Sequence, residues 1–567
     1  MHHKIMIWLV TATLFCLVYG PVHATRICYC PKSDIHGIGR CGELIVHDPK
    51  TGYTFDEENR GLTTLSPEQY VECPNPPSCP KCQKSLECPQ RPECPSLPQC
   101  SPSTCSGTTS VDSFGIYGSN TIGEKLMPQL IEGYAQRLRW TAEGTACNGS
   151  IRLKDWNPAE NRMVTIDCEA KGSETGISEL ISEHADIAML SRPITGKEVE
   201  SMRREGFPGM TTSLHEHVLA LDGLSIIIAK RSSIPVPLSL DQIADIFSRP
   251  DNNRRRPGRT PEGIPADTRL YVRDEQSGTR EMFDQLVMMP RDRELPPCPL
   301  ASNRISSVSC FSSSSDLVKA VADDPLGIGF VGRAYAEASD SVKVAPIAAP
   351  CGLVQEPSIF NIKTEDYLLS RRLLLYTAKV HSIHSPGLLF YALSDVAQPV
   401  IRDAGYVDQM IDQQSARDTL ARIDQYGPNF PKEVELEFNA DLMRDLRQTA
   451  RGANRLSISF RFRFNSTSLD TKALQDVNRL ADYLMVHAPR DKILLLGFTD
   501  ALGDFKSNRQ LSFDRAKAVE SALSSAGIAP DRMITRGYSE LMPVACNDNP
   551  DSQAKNRRVE VWLLPSE

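Results

Sequence analysis

Arg273-Asp274-Glu275-Gln276-Ser277-Gly278-Thr279 is a polar turn that leads into a helical pattern. Gly118-Ser119-Asn120-Thr121 and Gly172-Ser173-Glu174-Thr175-Gly176 read the same way. A helix start presents unpaired backbone N–H groups and about half a positive charge. Glycine lets a ligand approach the backbone, and Ser and Thr hydroxyls add rotatable donors. Singly, each segment is an ordinary Ser/Thr N-cap. Three such ends converging on one point would instead hold a dehydrated oxyanion, with Arg273 adding a forked donor for two oxygens.

Outward from these turns, the text from Phe114 to about Val407 alternates β and α. Apolar runs such as Val164–Ile166 and Leu224–Ala229 alternate with helical patterns such as Leu240–Phe247 and Leu317–Ala322. That predicts parallel or mixed sheets covered by helices. A charged, poorly periodic stretch, 411–454, is expected to be a linker.

The last unit, 455–567, opens on Ser457-Ile458-Ser459-Phe460-Arg461-Phe462-Arg463-Phe464, a period-two strand. Leu474, Val477, Leu480, Ala481 and Leu484 follow at helical spacing. A strand at Ile493–Phe498, a helix across Asn508–Ser525 and a closing strand at Arg558–Leu564 complete a βαβαβ sandwich. Positions 508, 511, 512 and 515 share one helix face, which can bring Arg515 to the strand end carrying Asp500. From the residues alone, that pair is either a structural salt bridge or a ligand site.

The middle block resembles the PstS-like periplasmic phosphate-binding proteins of ABC transporters, over roughly Phe114–Val407. Arg273 with Ser277-Gly278-Thr279 and Phe283 carries the resemblance most strongly. Gly172-Ser173 with Gly176, Asp186-Ile187-Ala188 through Ser191-Arg192, Asp222–Ile227 and Gly327–Phe330 add to it. The resemblance implies two α/β lobes joined by crossover strands and a cleft that closes on its ligand. It implies phosphate contacts at Ser119, Asn120, Thr121, Ser173, Ser191, Arg273, Ser277, Gly278 and Thr279. Where well-known phosphate binders carry an aspartate that accepts the hydrogen of monoprotonated phosphate, this sequence has Ser191. Glu174 and Asp274 are the carboxylates considered for that role, and the choice between phosphate and sulfate stays open.

The final unit resembles the OmpA-like peptidoglycan-binding domain over about Leu456–Leu564. The matching residues are Phe464-Asn465, Gly497–Asp500, Asn508, Leu511-Ser512, Arg515-Ala516, Gly537–Glu540, Pro543, Asn547 and Asn556–Glu560. The resemblance implies that Asp500 takes the ammonium and Arg515 the carboxylate of diaminopimelate, with Asn465, Thr499 and Asn508 supporting. Arg557 and Arg558 are expected to pack and pair at the domain edge.

The chain has 567 residues, 17 Cys, 40 Pro and a net charge of -8. Its length predicts several domains, and its charge gives no reason to expect a nucleic-acid partner. His2, His3 and Lys4 before the apolar run Ile5–Tyr19 form an expected signal peptide, 1–24, cleaved after Ala24. Phe15 before Cys16 argues against a lipid anchor. Export makes the cysteines candidates for disulfides. The segment 25–106 is read as a Cys/Pro-rich stalk or module, because Cys73–Cys105 alone holds seven Cys and nine Pro. Cys147 with Cys168 and Cys298 with Cys310 are expected to pair, whereas Cys351 and Cys546 are left as candidates for free thiols.

No catalytic constellation, cofactor motif or metal site stands out. His215-Glu216-His217 has no third ligand nearby and is read as structural. The expectation is a multidomain α/β envelope protein: a two-lobed binding-protein block, 112–410, followed by a wall-binding domain. Its setting would be the periplasm of a Gram-negative bacterium, near the peptidoglycan and outer membrane. An ABC permease or an outer-membrane protein is the further partner considered. The alternative is an envelope scaffold or sensor that uses the binding-protein fold for protein contacts.

Overall fold

Each polar turn follows the end of a strand, in a computed structural model that describes residues 111–144, 146–157, 162–248, 263–298, 308–426, 439–462 and 466–566, with six short strands between Thr25 and Glu72. The expected signal peptide, the Cys73–Cys105 run and Asn465 lie outside the described residues.

One continuous sheet organises the middle block. Its first half runs Trp140–Glu143, Asn148–Asp155, Met163–Ala170, Val111–Gly118 and Ile187–Leu190. Its second half runs Gly327–Gly332, Arg269–Arg273 and Val308–Phe311. Two antiparallel strands, Glu216–Ala229 and Ser370–Thr377, lie between the halves. The 14-residue strand Glu216–Ala229 is buried from His217 onward, so it reads as a continuous apolar run rather than an alternation.

These crossover strands feed two separate cores. Leu219, Ala220, Leu373 and Leu375 pack with Ile116, Leu130, Ile166 and Met189 in the first lobe. Leu221, Leu224, Ile226 and Leu369 pack with Phe247, Phe283 and Phe330 in the second. There the Phe283 and Phe330 rings stack at 4.1 Å, with Phe247 edge-on to Phe283 at 4.8 Å. Two lobes with crossover strands are what the sequence predicts.

The C-terminal sheet runs Gln413–Gln414, Asn454–Arg461, Arg558–Leu564, Lys492–Phe498 and Met533–Gly537. Met533–Gly537, parallel to Lys492–Phe498, is a strand that the βαβαβ reading lacks. The 411–454 stretch is not a bare linker. It carries helices Ala416–Asp424 and Ala440–Thr449, capped by Ser415 and Asn439. Ile423, Leu442 and Leu446 bury against Leu494, Phe498, Tyr538 and Trp562. Charges on the outer faces of these short helices hide their periodicity. On the next helix, Thr471–Val486, Val477, Leu480, Ala481 and Leu484 are buried as expected, but Leu474 is exposed.

Both faces of Asn454–Arg461 are buried. Ile458 and Phe460 enter the domain core, while Arg455 and Arg461 meet Asp366 of the middle block at 2.8 and 3.2 Å. Arg455 also reaches Glu560 at 3.0 Å, and Arg422 pairs with the same carboxylate at 2.8 Å. Burial pushes the Asp366 and Glu560 carboxyls up, but the surrounding guanidinium groups outweigh it and hold both below their ordinary values.

Among the described residues, three disulfides are formed: Cys147–Cys168, Cys298–Cys310 and Cys351–Cys546. The first two pair as expected. The third corrects the free-thiol reading, because folding brings Cys351 and Cys546, 195 residues apart, into one buried cluster with Ala349. Among the described residues, no helix is long and apolar enough to cross a membrane, and no cluster of three metal-ligating side chains occurs. His215 and His217 both turn to Thr377 on the neighbouring crossover strand.

Closing a loop of this length is worth roughly 2–5 kcal/mol through the unfolded state. Replacing Cys351 and Cys546 together by Ser is expected to lower the calorimetric melting temperature by several degrees; an unchanged melt would contradict that contribution. The Asp366 and Glu560 carboxyls are depressed in the fold, so their stabilisation is complete above the unfolded value near 4 and is lost as pH falls below it. Melting temperature followed from pH 7 to 3 should therefore begin to fall near pH 4, and less steeply for Asp366→Asn.

Candidate functional site

The three polar turns start helices at Asn120, Ser173 and Gly278, as their sequences predict. Gly172 sits at φ 101°, a conformation that glycine adopts without strain, and lets the chain leave its strand and turn into the Ser173–Ile181 helix. The turns meet across the interlobe cleft. Asn120 Nδ2 donates to the Gln276 carbonyl at 3.2 Å, joining the first and third. Gly278 lies so close to Thr121 that a Cβ there would collide with Thr121 Oγ1, so only glycine permits the approach.

Around this meeting point the nine expected anion residues divide. Ser119 Oγ and Asn120 Oδ1 are buried and have no hydrogen-bond partner. Ser173 Oγ lies 3.1 Å from Ser191 Oγ and accepts from the Ser191 N–H at 3.2 Å. Ser277 Oγ instead caps its own helix, accepting from Thr279 and Arg280 N–H. Thr121 Oγ1 and the Gly278 carbonyl both accept from Arg371, at 3.0 and 2.9 Å. Thr279 is half-buried at the start of that helix. Arg273 is buried and gives its Nε to the Phe311 carbonyl, one Nη to Ser314 Oγ and the other to the Ser312 carbonyl. Three of its five N–H donors are thus spent on orientation, leaving two. A cleft of about 570 Å³ opens beside Asn120, lined by Glu124, Asn148, Lys171 and Gln276 together with apolar Ala146 and Ala170. Burial raises the Glu124 carboxyl, against the pull of Arg273.

Besides Arg371, Glu281 is a residue of this site that was not anticipated. Both carboxylate oxygens of Glu281 lie 3.2 Å from Ser191 Oγ. The carboxylate that meets Ser191 is therefore neither Glu174, which is exposed, nor Asp274. Glu281 lies 90 positions from Ser191 and in the other lobe, so local spacing does not reveal it. The available hint was its place four residues after Ser277 on the same helix. Arg192 is held by Glu198 through two bonds of 2.8 Å and faces its own helix cap.

The second site lies where Lys492–Phe498 ends. The helix Phe505–Ser525 crosses so close to Gly497 that a Cβ there would strike the Ser512 carbonyl. Asn508, Ser512, Arg515 and Ala516 are all buried on its inner face. Asn508 Nδ2 donates to the Asp500 carbonyl at 3.4 Å and to Glu540 at 3.3 Å. Thr499 Oγ1 is buried without a hydrogen-bond partner. Arg515 gives Nε to the Ser466 carbonyl at 3.1 Å, and its Nη1 and Nη2 are buried with no partner. Burial pulls this guanidinium down to about 10 despite the nearby Asp500 charge, with Arg557 adding to the drop.

Arg515 and Asp500 thus share a site without forming the direct salt bridge that spacing alone allowed. Asp500 Oδ2 instead pairs with Arg557 Nη1 at 2.8 Å, and its Oδ1 accepts from the Leu502 N–H at 3.2 Å. Arg557 belongs to this site rather than to the domain edge. Arg558 is buried against Glu560 and lies over the Phe498 ring.

Residues 150–395 match the model of a PBP superfamily domain, and residues 461–557 match that of the OmpA family. The chain is 25% identical over 288 residues to the phosphate-binding protein PstS of Staphylococcus saprophyticus, covering 49% of this chain and 84% of that protein. It is 36% identical over 106 residues to outer membrane porin F of Pseudomonas fluorescens, covering 19% of this chain and 32% of the porin. It is 40% identical over 85 residues to the peptidoglycan-binding protein ArfA of Mycobacterium tuberculosis, covering 15% of this chain and 26% of that protein. The chain therefore spans a third or less of the last two relatives. Both matched families are binding domains. The polypeptide joins a PstS-like domain of the PBP superfamily to a C-terminal OmpA-like domain.

Proposed function

We propose that this chain is a periplasmic binding protein tethered to the cell wall, taking phosphate or a related tetrahedral oxyanion in its cleft and diaminopimelate at Asp500 and Arg515. One observation carries the reading: each site holds buried polar atoms with no partner inside the protein. They are Ser119 Oγ and Asn120 Oδ1 in the cleft, and Arg515 Nη1 and Nη2 beside Asp500. An unpaired buried donor or acceptor costs about 1–3 kcal/mol, so a ligand that satisfies it gains that amount.

In the cleft, the Ser173 helix start, the Ser119 hydroxyl and the remaining Arg273 donors would surround the anion, and Asn120 Oδ1 could accept only from a protonated oxygen of it. Glu281 sets the chemistry of that anion. A carboxylate beside an oxyanion is tolerated when a proton lies between them. Monoprotonated phosphate supplies that proton at neutral pH; sulfate does not. In the wall domain, the two free Arg515 nitrogens form a fork for a carboxylate, and Asp500 takes the neighbouring ammonium. Arg557 would orient Asp500. Lysine lacks the terminal carboxylate and would leave the Arg515 fork unsatisfied.

Glu281 also gives weight to a second reading. If its charge closes the cradle to anions, the middle block is a scaffold or sensor that retains the fold for protein contacts. Calorimetry of the full chain with phosphate and with sulfate separates the two. Heat with phosphate, at least tenfold tighter than with sulfate, supports uptake or buffering; heat from neither anion supports the scaffold. Glu281→Gln should shrink the discrimination to a few fold. Ser173→Ala should weaken phosphate by roughly fivefold to tenfold, in line with one lost hydrogen bond.

Sedimentation with purified peptidoglycan tests the other site. Asp500→Ala together with Arg515→Ala should abolish cosedimentation, and Arg557→Ala should weaken it. Undiminished binding by the double variant would show that the wall is held elsewhere.

A further inference from the structure

Arg371 and Arg372 are neighbours on the crossover strand Ser370–Thr377, and strand alternation sends them to opposite faces. Arg371 faces the cleft. It is paired with Asp222 on the other crossover strand at 3.2 Å and donates to both Thr121 Oγ1 and the Gly278 carbonyl. One guanidinium thus spans the anion turns of the two lobes. Arg372 faces the C-terminal domain. It holds Glu365 through two bonds and Asp470 through a third, at 2.9 Å.

Asp470 caps the helix Thr471–Val486, accepting from the Ala473 N–H at 2.8 Å. Four residues earlier, the Ser466 carbonyl orients Arg515. A short run of chain, 466–470, therefore links the Arg515 site to the strand that carries Arg371.

A second connection runs beside it. Thr471 Oγ1 donates to Glu216, which also accepts from Tyr376 OH at 2.6 Å. Tyr376 OH accepts in turn from the Ile194 N–H, three residues beyond Ser191. Where the crossover register shifts between Val218 and Ala220, the Val218 N–H is satisfied by Gln475 Oε1 at 3.2 Å. The C-terminal domain thus supplies a bond that the irregular ladder leaves open.

Two lobes that share these strands open and close by bending them. The C-terminal domain grips the strands while Arg371, Asn120 and Glu281 bridge the cleft, so its docking favours the closed arrangement. We infer that the wall site and the anion cleft are coupled through the Arg371–Arg372 strand, with an occupied Asp500–Arg515 site tightening anion binding. This rests on the function proposed above. The coupling is reciprocal, so phosphate tightens the hold on the wall by the same factor.

The test uses the full chain, inorganic phosphate and a soluble diaminopimelate-containing muropeptide. Saturating muropeptide should tighten phosphate binding about fivefold or more, the lower end of ordinary coupling. Asp470→Asn keeps a capping oxygen but loses the charge that holds Arg372. It should reduce the effect to less than twofold while muropeptide binding persists. Equal phosphate affinity with and without muropeptide in the wild type overturns the inference, as does undiminished coupling in Asp470→Asn.

Absence of heat with phosphate, or of muropeptide binding, counts against the corresponding ligand assignment rather than the coupling. A ligand-free measurement then decides. Hydrogen exchange at residues 119–123 and 277–283 should be faster in Asp470→Asn than in the wild type, and unchanged exchange there overturns the inference.

Discussion

The arrangement depends on one buried set of opposite charges. Arg455 and Arg461 project from the first long strand of the C-terminal sheet onto Asp366, and Arg372 answers from the crossover strand to Glu365 and Asp470. Buried ions are costly to desolvate, and a pair repays that cost only when geometry and further hydrogen bonds satisfy both partners. Here each carboxylate is shared by two or more guanidinium groups or backed by backbone donors. Lys555 adds bonds to the Glu365 and Tyr367 carbonyls. The set therefore acts less as added stability than as a specification of one docking geometry. An apolar interface could slide; a charge displaced from this one would be left buried and alone.

That fixed docking changes what a binding-protein fold can do. A receptor that diffuses to a permease and one held on the wall solve different problems. The same crossover strands here serve as the join between lobes and as the seat of the second domain. The interlobe cleft and the Asp500–Arg515 pocket share one feature, buried side-chain polar atoms left short of partners. Leaving such groups unpaired costs stability locally, and the surrounding core and disulfides offset it.

Local chemistry was legible in the sequence. The three helix starts follow from Gly, Ser and Thr before apolar periodicity, and the inner face of Asn508, Ser512 and Arg515 follows from spacing alone. The family resemblances extended those readings to whole lobes. What escaped were pairings set by long-range folding. Glu281 meets Ser191 across the cleft, Cys351 finds Cys546, and Arg557 pairs with Asp500. No local pattern encodes these partners. The helices in 411–454 escaped for another reason: each spans ten residues or fewer, and its outer face is too charged for a clear apolar stripe.

The sulfur link between Cys351 and Cys546 makes the intervening chain a covalent ring. The crossover strand Ser370–Thr377, the Arg455 and Arg461 strand and the candidate-site residues Asp500 and Arg515 lie on that ring. A single proteolytic cut anywhere within it leaves one molecule rather than two fragments. Tension applied to the C-terminal domain at Cys546 likewise reaches the second lobe through sulfur, without first unravelling the chain between Cys351 and Cys546. The tie is mechanical as well as thermodynamic.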